Sequence, residues 1–215
     1  MKKTSIQYTH QQISNGLDVL IVKVGRMAVA VEIVTPYFKD RKINGKDFIL
    51  PQSLVIILSD VIKYHYGQLY RCYFDTQGKE NNTASISVLY HQIFNEDVDE
   101  KIKKNYHAEF EEIRIKLDAV QKYKEKLKQF SHKHFAHTDT SKTLEESEKE
   151  LATIGIPWQE FVSLINDAKI ILKNMCVVYQ KPIQDFSEGQ YPYLRDEFWS
   201  AIKYTEVHIT RPAAD

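Results

Sequence analysis

Phe130-Ser131-His132-Lys133-His134-Phe135-Ala136-His137-Thr138-Asp139 brings three histidines, a lysine and a carboxylate into one short segment. Imidazole is the side chain whose ordinary pKa lies nearest neutrality, so such a group can take and return protons at cellular pH, which is the work of general acid–base catalysis. At about 100° per residue, His134 and His137 stand roughly 60° apart around a helix, and Lys133 and His137 roughly 40° apart. These three share a face. His132 lies roughly 140° from His137, and an unbroken helix cannot aim both at one ion. A zinc reading of His-x-His-x-x-His would need a fourth ligand and a local break, so we expect no metal and no cofactor. The other reading of His134 and His137 is as core histidines whose ring nitrogens bond to backbone carbonyls or to Asp139. Two imidazoles and an ammonium so close together would repel if all were ionised, so at least one imidazole should be neutral near pH 7.

The elements that must position this segment are helical. Gly and Pro are sparse and fall mostly between apolar periodic stretches. The pattern predicts a first helix over Gly16 to Tyr37, ending near Pro36, and a second from Pro51 to about Phe74. Val and Ile are frequent in both, which leaves a strand reading of Val19 to Val34 open. Asp75 to Asn82 reads as a loop, and Ser85 to Phe94 as a short helix. The longest element is expected from Asp97, with Glu100 completing an acidic variant of a capping box, to about His137. Its stripe is Tyr106, Phe110, Ile113, Leu117, Val120, Leu127 and Phe130, with Glu111, Lys116, Lys122, Lys126 and Lys128 on the solvated side. Continuing that spacing lands on His134 and then His137, so both should face whatever the helix packs against. Lys142 to Glu150 is charged and reads as a mobile loop or short exposed helix. Gly155-Ile156-Pro157 introduces a helix over Trp158 to Tyr179, with Phe161, Leu164, Ile165, Ala168, Ile171, Leu172 and Met175 as its buried face. Asp185 to Pro192 reads as a connector, and Arg195 to Val207, with Phe198, Trp199 and Ile202, as a final helix or docking tail.

At 215 residues the chain suits one well-cored domain. Lys plus Arg and Asp plus Glu both number 29, so no global charge excess points to nucleic acid or membrane, and any such binding must come from a local patch. Cys72 and Cys176 stand far apart without metal-ligand spacing, as expected of ordinary thiols in a reducing compartment, and the cytoplasm is the expected location. Asp18, Lys23, Arg26 and Glu32 interrupt the apolar stretch Leu17 to Val34, so neither a signal peptide nor a membrane span is expected. Tyr64, Tyr66, Tyr70, Tyr73, Tyr191 and Tyr193 could stack on unpaired bases, or serve as core and interface residues. Lys122, Lys124, Lys126 and Lys128, with Lys101, Lys103 and Lys104 before them, could track a phosphate backbone, or form a solvated face among their acidic neighbours.

Lys133-His134-Phe135-Ala136-His137-Thr138-Asp139 resembles the Arg-Asn/Asp-Lys-His-x-Ala-His-x-Asp segment of HEPN-superfamily domains, in particular the abortive-infection type U (AbiU-like) branch. Leu58-Ser59-Asp60 through Gly67-Gln68-Leu69-Tyr70 to Phe74-Asp75 resembles an upstream helix of that branch, and Pro157 to Tyr179 its closing helix. The resemblance covers roughly Pro51 to Tyr179, with the histidine segment as its specific part. It implies an all-α, HEPN-like bundle spanning 1–215 as a single domain, with its core at about 51–180 and the N-terminal helix and C-terminal tail packed on it. It also implies a homodimer and, in active members, a metal-independent ribonuclease built on an Arg-x(4–6)-His motif.

In that scheme His137 matches the motif histidine and acts as general acid–base on the ribose 2′-hydroxyl, while His134 and Lys133 support it and Asp139 orients an imidazole. The motif arginine should stand among Phe130, Ser131 and His132, and none of these is arginine. Lys133 or His132 would have to substitute, or Arg71 or Arg114 reach in from elsewhere. The alternative expectation is a catalytically degenerate module that binds RNA or a partner protein without cleaving.

Overall fold

The computed structural model describes residues 9–40, 42–43, 46–47, 52–75, 84–94, 104–135, 155–182 and 193–201; within these, 36–40, 42–43, 46–47, 52–53 and 133–135 are described as backbone. It is an all-α bundle: α1 His10–Asp40, α2 Gln52–Phe74, α3 Ile86–Ile93, α4 His107–Gln121, α5 Lys124–Phe135 and α6 Trp158–Val178, with residues 193–201 also helical. A small antiparallel hairpin, β1 Lys42–Ile43 with β2 Lys46–Asp47, follows α1. No strand was expected there, although Asn44 and Gly45 between the strands are the pair two-residue hairpins favour most.

α1 starts earlier and ends later than its periodicity suggests, and the strand reading of Val19 to Val34 gives way to helix. Its start is a capping box. The Gln12 N–H donates to Thr9 Oγ1 at 3.2 Å, and the Thr9 N–H donates to Gln12 Oε1 at 2.8 Å. Its end passes through Pro36, which has no N–H to give the Glu32 carbonyl. Packing sustains the helix there: Val31 and Val34 are buried, and the Trp199 indole N–H donates to the Ile33 carbonyl at 2.8 Å. Gly16 faces α3 so closely that a Cβ would lie 3.1 Å from Leu89 and 3.2 Å from Ala84. α3 starts where Ser85 Oγ accepts from the Val88 N–H, as the sequence implies.

The long helix expected through residue 137 is two helices. The Tyr123 N–H bonds the Val120 carbonyl three residues back, and the Leu127 N–H then takes the Tyr123 carbonyl to restart the ladder. The apolar stripe runs straight through this break, but its two halves serve different neighbours: α4 packs against α6, while α5 packs against α2. Ile113, Leu117, Val120, Leu127 and Phe130 are all buried as predicted, as is every predicted core position of α6. The proposed Asp97 and Glu100 capping box lies outside the described residues.

Candidate functional site

The helix carrying the histidine segment is held by α2. The Tyr66 ring stacks on Phe161 of α6, with centroids 4.1 Å apart and planes 5° apart, and meets Phe130 of α5 at 5.2 Å. Its hydroxyl donates to the Ile156 carbonyl at 2.6 Å. One residue thus joins α2, the approach to α5's end and the entry to α6. Burial, with Glu160 nearby, pushes the Tyr66 phenol far above its ordinary range, so it stays a neutral donor. Seven residues on, the Tyr73 hydroxyl repeats the device on the Leu164 carbonyl at 2.7 Å.

Tyr66 opposite Phe130 and Phe74 beside Lys124, whose ammonium lies 5.5 Å from the ring centre, make α2 and α5 antiparallel. Going backward along α2 is therefore going forward along α5, and the turn containing Asp60 and Lys63 approaches the level of Lys133 and His134. Lys63 Nζ lies 3.5 Å from Asp60 Oδ1. The sequence reading used Asp60 only as part of a resemblance and missed Lys63.

Lys133 and His134 are placed as backbone in the last turns of α5. His137 and Asp139 lie outside the described residues, as do Tyr191 and the segment Lys142 to Glu150. Of the three positions where the motif arginine was sought, Phe130 and Ser131 are buried and His132 is exposed. His132 meets the edge of the Tyr70 ring at 6.4 Å, with planes 84° apart. Side chains lean toward their own helix's N-terminus, so on antiparallel helices Tyr70 and His132 lean toward each other. Burial raises the Tyr70 phenol, with Asp75 and Glu125 adding to the effect.

Of the two arginines considered from elsewhere, Arg114 is engaged on the outside of α4, with Glu111 at 2.6 Å and Asp118 at 3.7 Å. Arg71 is exposed on α2. The thiols are out of play, because burial pushes Cys72 up to about 12 and Cys176 up to about 11, leaving both protonated at neutral pH. Among the described residues no group of three His, Cys, Asp or Glu side chains could hold a metal ion, and no helix is long and apolar enough to cross a membrane.

No curated protein and no solved structure matches the chain. A family model does. The AbiU2 model of the HEPN group matches residues 64–197, from the middle of α2 through α6 into the helix at 193–201. The matched region holds the Tyr66 brace, the whole of α5, the histidine segment and the docking helix, and covers more than half of the sequence: the chain belongs to the HEPN AbiU2 family.

Proposed function

We propose that this HEPN chain is a single-domain, cytoplasmic protein of abortive-infection, antiphage defence that acts on RNA as a homodimer, and that it is a metal-independent endoribonuclease. His137 removes the proton from a ribose 2′-hydroxyl, the 2′-oxygen attacks the adjacent phosphorus, and the 5′-oxygen leaves with a proton returned by an imidazolium, producing a 2′,3′-cyclic phosphate. His134 and Lys133 stabilise the charge that builds on the phosphate, and Asp139 orients the His137 ring. The observation that supports this reading is the family match falling on a histidine–lysine segment at the end of a helix braced from two sides by Tyr66. His137→Ala should abolish cleavage of total RNA in the presence of a chelator, read as loss of cyclic-phosphate ends. Cleavage that survives the substitution removes the mechanism.

A second reading is favoured by the side chains at 130–132, where no arginine stands and two of three positions are buried. Loss of one preorganised donor to the transition state typically costs about 100- to 1000-fold in rate. On this reading the same bundle binds RNA or a partner protein without cutting. A salt-sensitive RNA complex with no cyclic-phosphate product would select it.

A further inference from the structure

Lys124, Lys128 and His132 recur every four residues on α5, which puts them within roughly 80° on one flank and about 6 Å apart along the axis. Contacts fix both ends of this row beside α2: Lys124 lies over the Phe74 ring and His132 against the edge of Tyr70. Lys126 points away, roughly 160° around from Lys128. Lys63, Arg114, Lys116, Lys181 and Arg195 all have carboxylate partners. Among the described residues, Lys124, Lys128 and His132 make no ion pair. The sequence shows a lysine run diluted by acids, whereas the fold sorts it into one aligned row and its remainder.

We infer that this flank of α5 is a phosphate track for single-stranded RNA, leading along the α2–α5 seam to the histidine segment, with Tyr70 as a base-stacking platform at its end. The proposal rests on the RNA-directed function proposed above and adds the route by which the strand reaches the site. Regularly spaced cations follow a backbone without reading sequence, and a half-buried aromatic beside them takes any base on its face. Glu125 stands on the same flank and offsets part of the charge, so binding should be salt-sensitive.

The test uses the full chain and a 5′-labelled, 2′-O-methylated oligouridine of about 12 nucleotides, which binds but has no 2′-hydroxyl to react. Fluorescence anisotropy is followed between about 50 and 200 mM salt. The triple variant Lys124→Ala, Lys128→Ala, His132→Ala should lose at least about tenfold in affinity, and its log–log salt slope should fall by about 2, near 0.7 per lost phosphate contact. Tyr70→Leu should weaken binding about tenfold with the slope unchanged. Lys126→Ala should change neither, and Lys124→Arg with Lys128→Arg should keep the slope, which guards against a folding artefact. A triple variant that binds with wild-type affinity and slope overturns the track. If the wild type binds the oligonucleotide and His137→Ala abolishes cleavage, that overturning leaves the nuclease reading standing; a wild type that does not bind at all overturns both.

Discussion

His65 sits on the flank of α2 that also carries Cys72, and Cys72 feels Lys23 of α1, so this imidazole faces the α1–α2 seam. Its Nδ1 is buried with no hydrogen-bond partner among the described residues, and burial lowers its pKa from the ordinary 6.5. The sign of the linkage follows. As pH falls, the unfolded imidazole takes its proton first, so stability is full above about 6.5 and is lost as pH drops below that. His65→Leu should flatten this dependence: between about pH 7 and 5 the melting temperature of the wild type should fall more than that of the variant, and equal falls would refute it. Cys72 and Cys176 lend themselves to a simpler check. Protonated and buried, both should resist iodoacetamide in the native protein and label fully in denaturant, as mass spectrometry would show. None of this was visible in the sequence, where His65 and His132 are two unremarked histidines; burial separates them.

At the scale of elements, α2 is the brace. Its tyrosines at 66 and 73 each send a hydroxyl to a backbone carbonyl at or just before α6, so the two helices are pinned at two points. Tyr66→Phe should cost about 1–3 kcal/mol in denaturant unfolding, the range for leaving a buried carbonyl without its donor. It should reduce RNA cleavage by more than that loss of folded protein explains, because Ile156 closes the segment that carries His137. A variant as active and stable as wild type would mean the brace does not position the segment. The helices themselves were largely legible: three-and-four spacing located α2, α3 and α6 to within a residue or two and marked nearly every buried position on α4 and α5. What periodicity could not show was the break at Lys122 and Tyr123. Both halves keep the same repeat, and the choice of α6 for one and α2 for the other belongs to the tertiary fold. The continuation of α1 past Pro36 was hidden for the same reason, since the docking of Trp199 outweighs a local helix breaker. The chemical identity of the site was legible as residue types, while the brace that aims it was not.

Across the whole molecule, distant parts of the chain close on α1. Lys181, just after α6, reaches Ser14 at 2.8 Å and Asp18 at 3.0 Å; Tyr179 stacks on His10; and Arg195 reaches Glu32 at 2.9 Å. Gln180 takes a left-handed conformation with φ of 53°, which lets the Lys181 N–H return to the Cys176 carbonyl and swings the lysine toward α1. The family match spans much of this closure, from α2 to the docking helix. The last turns of α5 and the residues leading into α6 rest on a single phenol ring, so the polypeptide between them is a tether whose two ends are already fastened side by side. Severing that tether would not release either end. Two separately expressed pieces, divided between residues 136 and 154, should find each other and co-purify as a native-like pair; pieces that stay apart would show that the covalent link, rather than the shared ring, keeps the halves in place.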